Sequence, residues 1–297
     1  MLFGVINAFK PQGMTSRDVV DKIVRCCPRK TKVGHAGTLD PMATGVLVVA
    51  VGPATRLIQY AQASGKSYTA SFRMGYCSDT EDITGDVQSI ADSPTVSQEE
   101  MVRTLDQFVG TIQQTPPMYS AIKVNGQRAY KAARKGVALE ISARPIEVHS
   151  IRLLKFDFPE FTIAIDCGKG TYVRTLGRDI AKSLGSDCVM TALQRTAVGE
   201  FAIESSVKLE EIENHGVEKS LLDPISMIGS LPRIQATGAQ AQDLLHGKRL
   251  SSEPWNIPDS VEELAAVDQA QKLLAILQRK SPNEFGPKIN FAPQLLG

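Results

Sequence analysis

The chain has 297 residues, of which 42% are hydrophobic and 22% are charged, and this composition is typical of a globular protein with a sizeable core. Its net charge of +1 identifies no class of partner, and its apolar runs are shorter than the roughly 20 residues that a membrane-spanning helix needs. The five cysteines are odd in number and lack CxxC spacing, which argues against a disulfide framework and against zinc. We therefore expect a cytoplasmic protein without membrane association, whose N-terminal MLFGVINAFK forms a strand and not a signal peptide.

Strands and helices alternate in the predicted order of elements. VINAFK predicts a strand, and the next segment predicts a helix for which Thr15 and Asp18 indicate a capping box. The helix ends before Pro28, and its predicted apolar face consists of Val19, Val20, Ile23, Val24 and Cys27. The β-branched run VLVVAVG predicts a buried strand, and the alternating SYTASFRMG predicts another.

The same alternation continues toward residue 230. SQEEMVRTLDQFVG predicts a helix closed by Gly110, FTIAIDC predicts a strand, and a Gly-Lys-Gly turn leads into a helix with the apolar stripe Val173, Leu176, Ile180 and Leu184. Beyond residue 230 the strand-like segments are VEELAAVD and KLLAILQRK. The pattern predicts an α+β fold, with a mixed, mainly antiparallel central sheet flanked by helices in residues 1–230 and a small β-rich module in residues 231–297.

Local charge indicates a polyanionic partner although the net charge does not. Residues 115–139 carry five basic residues and no acid, and CCPRKTK at residues 26–32 carries three more. Arg128, Lys131 and Lys135 are predicted to share a helical face near Arg134, and such a strip suits a phosphate backbone. The alternative is a pair of solvated basic segments. SDTEDITGD lacks the order of an EF-hand and is interpreted as an acidic surface loop.

The loop GHAGTLDPMATG carries a single carboxylate, Asp40, with no second acid nearby in the sequence. Pro41 biases Asp40 toward an extended backbone, which gives the carboxylate a fixed direction and suits a functional side chain. The alternative is an Asp-Pro turn that bonds only its own backbone. Arg174 lies in the first turn of a predicted helix, where the macrodipole disfavours a cation, beside the apolar stripe. A guanidinium there needs a carboxylate of this chain or a phosphate of a ligand, unless it is exposed.

Other catalytic templates are absent from the sequence. It contains no Walker A, GxGxxG, GxSxG or HExxH pattern, and its four histidines are scattered. We therefore expect neither a metal nor a cofactor.

The Asp40 loop and several other motifs of the sequence resemble those of a known family. GHAGTLDPMATGVL is similar to the signature of the TruB-type tRNA pseudouridine synthases. Further similar motifs follow the family order along residues 3–230, and the remainder resembles a PUA-like module more weakly. These motifs are KPQGMTS, KSYTASFRMG, SDTEDITGD, PPMYSAIKVNGQRAYKAARKG, ARPIEV, CGKGTYVRTLGRDIAKSLG and LQRTAVGEF.

The resemblance implies a role for particular residues. Asp40 matches the catalytic aspartate, Tyr68 the tyrosine that stacks on the target base, and Arg174 the arginine that pairs with the aspartate. Tyr172 matches a tyrosine that lines the pocket, and His35 a histidine that packs into the RNA loop where the flipped base was. The isolation of Asp40 from other acids is expected to favour its ionised form.

Two further matches and one departure complete this comparison. Lys10 and Leu193 match residues near the pocket, with substrate or RNA binding as their expected role. The family often has two arginines in the LRRTAVG stretch, where this chain has Gln194 before Arg195, which puts a backbone contact in doubt.

The implied reaction isomerises uridine to pseudouridine at position 55, in the T-loop of tRNA, by base flipping and an aspartate nucleophile. The expected partner is the tRNA T-arm, bound by a monomer under a mobile basic segment at about residues 115–145, with no obligate protein partner. Three alternatives stay open. They are a non-catalytic RNA-binding or RNA-folding module of the same fold, a synthase that acts on other RNAs, and a glycosidase-like enzyme in which Asp166 or Asp179 approaches Asp40.

Overall fold

The structure is a computed structural model that describes residues 2–120, 123–124, 127–128, 141–229 and 231–295. Its strands are β1 (Gly4–Lys10), β2 (Val33–His35), β3 (Thr44–Val51), β4 (Lys66–Met74), β5 (Tyr76–Cys77), β6 (Gln88–Ser89), β7 (Gly110–Gln114), β8 (Lys123–Val124), β9 (Gln127–Arg128), β10 (Arg144–Asp157), β11 (Glu160–Cys167), β12 (Cys188–Val198), β13 (Phe201–Ala202), β14 (Arg233–Gln235), β15 (Leu250–Ser251), β16 (Glu263–Val267), β17 (Leu273–Ser281) and β18 (Glu284–Asn290).

The α-helices of the described residues are α1 (Ser16–Arg25), α2 (Ile58–Ala63), α3 (Gln98–Asp106), α4 (Val173–Ser183), α5 (Leu209–His215), α6 (Val217–Ser220), α7 (Gly238–Leu245) and α8 (Ala292–Leu295). Short 3-10 helices occupy Gly52–Leu57, Ile203–Ser205, Pro224–Ile228 and Glu253–Trp255.

A nine-stranded sheet organises residues 4–202. Its main path runs β1, β3, β12, β4, β11, β10 and β7, while β2 pairs with β3 and β13 with β12. All of these pairings are antiparallel except that between β3 and β12, where Gln194 and Arg195 lie beside Thr44 and Gly45. The predicted mixed, mainly antiparallel central sheet is therefore confirmed.

Strand β3 is apolar along its length because both of its faces are covered. Leu47 and Val49 pack into the core that contains helices α1 and α5, whereas Val46 and Val48 pack into the core on the other face. A third core lies beneath α4, where the rings of Phe72 and Phe161 stack with centroids 5.1 Å apart. Strand β3 is thus buried on both faces, which is why its sequence lacks the alternation seen in β4 and β11.

Most of the predicted helix boundaries are close to those of the structure. The capping box of Thr15 and Asp18 is present at the start of α1, and α1 ends at Arg25. The assignment of Val24 to the apolar face is wrong, since Val24 is 38% exposed. Helix α3 ends at Asp106, earlier than predicted, because Gly110 begins β7.

A second sheet is formed by residues 233–290, and it confirms the predicted β-rich C-terminal module. Its five strands run in the order β14, β16, β17, β18 and β15. The module is docked on the larger sheet through the Phe3 and Phe291 rings, whose centroids are 4.8 Å apart, and through the Tyr60 hydroxyl, which donates to Glu263 Oε2 at 2.7 Å. Strands β16, β17 and β18 also contribute side chains to the core beneath β3.

Arg128, the first residue of the helical face predicted for the basic segment, does not lie in a helix. Arg128 lies in β9, which pairs antiparallel with β8. In the sequence, Asn125-Gly126 is typical of a two-residue hairpin loop, a signal that competes with the helical spacing. Lys131, Arg134 and Lys135 lie outside the described residues.

Candidate active site

A cavity of about 320 Å³ opens between the Asp40 loop, strand β4 and the start of α4. Its size is at the lower end of the roughly 300–1,000 Å³ that small-molecule pockets occupy. We call it the Asp40 cavity, and the residues that line it are Ala36, Gly37, Thr38, Leu39, Asp40, Gln62, Lys66, Tyr68, Tyr119, Ser120, Gly170, Thr171, Tyr172, Val173, Arg174, Leu193 and Arg195.

The backbone beside Asp40 is held by the buried ammonium of Lys10. This group donates to the carbonyls of Pro11, Pro41 and Ala43 at 2.9, 3.3 and 2.6 Å. Burial lowers the pKa of Lys10 to about 8, with the Asp40 carboxylate opposing the shift. Lys10 is fully buried and absent from the cavity lining. Its expected role in substrate or RNA binding stays a prediction, and in this geometry its ammonium already donates to three carbonyls.

Arg195 holds the other side of the same loop, and the sequence did not single out its side chain. Its Nε donates to Val46 O at 2.7 Å, and its terminal nitrogens lie 3.2 and 3.5 Å from the carbonyls of Gly37 and Thr38. A glycine is needed at Gly45, whose φ is +105° and whose Cβ would stand 2.2 Å from Arg195 O. Gln194, on the opposite face of β12, is half-buried beside its sheet neighbours.

The anion that pairs with Arg174 is a carboxylate of this chain. Its Nε lies 3.1 Å from Asp40 Oδ2, and its side chain is 6% exposed against 35% for Asp40. The exposed alternative for Arg174 is therefore wrong, and so is the alternative that Asp40 only bonds its own backbone. The guanidinium also donates to Thr80 O at 2.6 Å and to Tyr119 O at 3.0 Å, so that three separate segments converge on it.

Two acids of the SDTEDITGD segment are buried, which corrects its interpretation as a surface loop. Glu81 and Asp82 are 7% and 3% exposed. They are buried because α4 presents Arg174 and Arg178, one helical turn apart, to this segment. Asp82 Oδ2 lies 3.8 Å from Arg174 Nη1, so Asp40 has a second acid as a neighbour in space, contrary to its isolation in sequence.

Opposing influences act on the pKa of the Asp40 carboxyl. Burial raises its pKa, Arg174 lowers it, Asp82 raises it and Lys10 lowers it, with an elevated pKa as the net result. The expectation that isolation favours the ionised form is therefore wrong, and Arg174 is the largest influence on the side of ionisation.

Neither acid that was considered as a glycosidase partner lines the cavity. Asp166 accepts hydrogen bonds from Ser67 and Ser150, and Asp179 pairs with Arg178. Asp82 is buried behind Arg174 and does not line the cavity either. The described lining thus presents one carboxylate, that of Asp40, which disfavours a paired-carboxylate mechanism.

Aromatic side chains form the walls of the cavity beside Asp40. Tyr68 on β4 is 7% exposed, and burial raises the pKa of its phenol while Arg195 opposes the shift. Tyr172 precedes α4, and its backbone N–H and C=O both bond the side-chain amide of Gln114, at 2.8 and 3.1 Å. Leu193 on β12 is 8% exposed and completes the wall.

Lys66 and Gln114 support the site but were not identified from the sequence. Lys66 lines the cavity, and burial lowers its pKa to about 8 while its ammonium donates to the carbonyls of Gln62 and Ser64. Lys66 and Asp82 both lie inside the motifs KSYTASFRMG and SDTEDITGD, so the motifs contained them without indicating their contacts. Gln114 lies outside these motifs, and no sequence signal marked it.

His35 lies at the end of β2 and does not line the cavity. Burial lowers the pKa of its imidazole, and its Nδ1 is buried without a hydrogen-bond partner among the described residues. Its predicted packing into an RNA loop stays a prediction.

The described residues contain no group of three or more histidine, cysteine, aspartate or glutamate side chains placed to hold a metal ion. None of the helices in the described ranges is both long and apolar enough to cross a membrane.

Comparisons with known proteins identify the relatives of this chain. The sequence model described as TruB family pseudouridylate synthase (N terminal domain) matches residues 25–173. The chain is 37% identical over 276 residues to tRNA pseudouridine synthase B of Clostridium tetani, which covers 93% of this chain and 95% of that protein. It is 40% identical over 298 residues to the Streptococcus pyogenes serotype M3 protein of the same name, covering 97% and 99%.

Solved structures share the fold. A crystal structure of a Cbf5-Nop10-Gar1 complex superimposes with a TM-score of 0.74 at 24% identity, covering 97% of this chain and 84% of that one. This likeness extends over both sheets and confirms the predicted fold class. By the family match and the full-length sequence identity, the chain belongs to the TruB family of pseudouridylate synthases.

Proposed function

We propose that this protein isomerises uridine to pseudouridine in tRNA, at position 55 of the T-loop, with Asp40 as the nucleophile. The observation that carries the proposal is the Asp40 carboxylate, which Arg174 Nε holds at 3.1 Å in a cavity walled by tyrosines. The name tRNA pseudouridine synthase B, borne by relatives that match nearly the whole chain, supports tRNA as the substrate.

The reaction breaks the bond between ribose C1′ and uracil N1 and forms one between C1′ and C5. The proton on C5 leaves to solvent, and N1 gains a proton, so that atoms and electrons balance without an oxidant or reductant. Asp40 supplies the electron pair of the covalent step, for which it must be ionised. Arg174 favours that form and keeps the carboxylate turned toward the cavity.

The target uridine must leave its stack to reach Asp40, because the carboxylate lies within a cavity and not on a protruding surface. Tyr68 and Tyr172 offer aromatic surface to the flipped base, and base–aromatic stacking contributes about 1–3 kcal/mol per base. The cavity volume of about 320 Å³ suits one nucleoside and not a stacked pair.

A T-arm RNA with tritium at uracil C5 tests the proposal. The wild type is expected to release tritium, and Asp40→Asn, which keeps the size of the side chain, is expected to release none while binding the RNA. A second RNA with cytidine at position 55 and tritiated uridines elsewhere is expected to release none with either protein.

Each outcome has a distinct meaning. Equal release by the wild type and Asp40→Asn would overturn the nucleophile, and release from the cytidine-55 RNA would overturn the position. RNA binding by the wild type without release from any RNA would favour the non-catalytic module.

A further inference from the structure

A second ion pair lies one turn along α4 from Arg174. The carboxylate of Glu81 accepts hydrogen bonds from Arg178 Nη1 and, at 2.7 Å, from the hydroxyl of Thr175. The side chains of Glu81 and Arg178 are 8% and 23% exposed, so the pair is largely removed from water. Arg178 also bonds Asp179, its neighbour in the helix, at 3.0 Å. Neither Glu81 nor Arg178 lines the Asp40 cavity.

The backbone at Glu81 is in the left-handed region, with a φ of +63°. This conformation is uncommon for a residue other than glycine and persists where surrounding contacts impose it. The contacts are present on both sides of the chain. Glu81 O accepts from Met190 N at 3.1 Å, Ile83 N donates to Met190 O at 3.1 Å, and the Glu81 side chain reaches α4.

The residues before and after Glu81 are the ones that meet Arg174. Thr80 O accepts from Arg174 Nη1 at 2.6 Å, and Asp82 Oδ2 lies 3.8 Å from the same nitrogen. Asp82 Oδ1 is itself held by the hydroxyls of Thr80 and Thr84 at 2.8 and 2.6 Å. The left-handed turn at Glu81 thus places Thr80 O and the Asp82 carboxylate beside the Arg174 guanidinium.

We propose that Glu81 and Arg178 are positioning residues, whose ion pair locks the segment of residues 78–86 onto α4 and thereby fixes the Arg174 guanidinium against the Asp40 carboxylate. They act through Arg174 and touch no reacting atom. The effect on turnover rests on the proposed function, whereas the effect on Asp40 itself does not.

Loss of the pair changes the charges and the solvation around Asp40. Asp40 faces Arg174 from α4, Asp82 from the 78–86 segment, Lys10 from β1 and the Tyr68 phenol from β4. Glu81 faces Arg174, Arg178 and Asp179 from α4 and the Cys188 thiol from β12. When the segment detaches, Asp82 leaves Asp40 and the site gains water, and both changes lower the pKa of Asp40, whereas displacement of Arg174 raises it. Arg174 meanwhile loses Thr80 O and the Asp82 carboxylate as partners together with its fixed orientation, which slows the chemical step.

The test compares Glu81→Ala, Arg178→Met and Arg178→Lys with Glu160→Gln as a control. Glu160 pairs with Arg73 at 2.7 Å on the half-exposed β4 and β11 surface, away from the cavity. We expect Glu81→Ala and Arg178→Met to lower kcat at least about tenfold with little change in KM, and to shift the acid limb of the pH profile away from its wild-type position. Arg178→Lys keeps the charge and is expected to recover most of the rate, while Glu160→Gln leaves both readouts unchanged.

A second measurement separates positioning from mere stability and from the proposed function. Carboxyl ¹³C NMR titration of Asp40 in RNA-free protein is expected to give a pKa in Glu81→Ala that differs from that of the wild type. If Glu81→Ala only lowers the melting temperature and leaves the Asp40 titration and the pH profile in place, the positioning role is overturned. If the wild type proves inactive but the Asp40 titration still differs between Glu81→Ala and the wild type, the proposed function is overturned and the positioning role stands.

Discussion

Two buried cations, Lys10 and Arg195, support the Asp40 loop through backbone carbonyls and not through acids. Lys10 bonds the carbonyls of Pro41 and Ala43, and Arg195 bonds that of Gly37, so the loop is held on both sides of the carboxylate. Each cation is at most 1% exposed. A charge buried this completely needs well-placed partners, and the carbonyls of the loop supply them, together with the nearby Asp40 carboxylate for Lys10.

We predict that Lys10→Met destabilises the protein and that the effect depends on pH. The variant leaves three buried carbonyls without a donor. Each of them costs about 1–3 kcal/mol of unfolding free energy where the surrounding backbone does not relax. The folded pKa of Lys10 is about 8, below the unfolded value, so between about pH 8 and 10.4 the unfolded chain binds more protons at this group. Stability contributed by Lys10 in the wild type therefore rises across that window, by on the order of 3 kcal/mol.

Urea unfolding of the wild type and Lys10→Met at pH 7.0, 8.5 and 10 measures this dependence. The gap in unfolding free energy should widen as the pH rises. A constant gap would show that the ammonium is not desolvated as its burial indicates. Lys272→Met, at an exposed position of the C-terminal module, is the matched control and should show no trend.

At the scale of elements, the backbones of β3 and β12 approach each other closely, and this contact places the Asp40 loop beside the second half of the chain. Strands β3 and β12 pair in parallel for only two positions, at Thr44 and Gly45. At Gly45 the carbonyl of Arg195 occupies the space that a side chain would need. The short parallel contact therefore depends on a glycine with a positive φ.

We predict that Gly45→Ala destabilises the protein more than Gly13→Ala. Both glycines have a positive φ, +105° and +86°, but a Cβ at Gly13 would meet open space while one at Gly45 would overlap backbone atoms. Gly13→Ala should cost about 1 kcal/mol of unfolding free energy from conformation alone, and Gly45→Ala at least about 3 kcal/mol, with loss of tritium release. Thermal unfolding by circular dichroism compares the two, and equal losses would contradict the steric account.

Sequence patterns predicted the elements better than the contacts between them. Local spacing predicted the helix α1 and the strands β3, β4 and β11, because hydrophobic periodicity is a property of a few neighbouring residues. It also predicted that Arg174 needs an anion, because the electrostatics of a helix end act within one turn. The burial of Glu81 and Asp82 does not follow, since it depends on α4 arriving some 90 positions later in the chain. Arg195 was missed for the same reason, because its acceptors lie about 150 residues away in the sequence.

At the scale of the whole molecule, a cavity lined by basic residues adjoins the C-terminal module. Arg29, Lys30, Lys32 and Arg56 line a cavity of about 620 Å³, and no acid is among its described lining residues. The Arg56 guanidinium stacks at 4.4 Å on the ring of Phe291, which joins this cavity to the module. A chain whose net charge is only +1 thus concentrates positive charge beside its domain junction, where an extended polyanion can contact both parts.

We predict that this cavity and the basic segment beyond Tyr119 contribute separately to tRNA binding. The triple variants R29Q/K30Q/K32Q and K131Q/R134Q/K135Q should each weaken binding at low salt. Each should flatten the dependence of log Kd on log salt by up to about 3, because each neutralised phosphate contact removes roughly one released counterion. Filter binding of T-arm RNA between 50 and 300 mM KCl measures the slopes.

The control for this prediction is R103Q/K155Q, which removes two charges from α3 and β10, outside both basic groups. Its slope should match the wild type, which separates a local phosphate contact from a general change in net charge. If the combined six-site variant has the slope of either triple variant, the two groups bind the same phosphates. If its slope falls by the sum of both effects, the RNA contacts the domain junction and the segment beyond Tyr119 at once, since released counterions add only for contacts made at the same time.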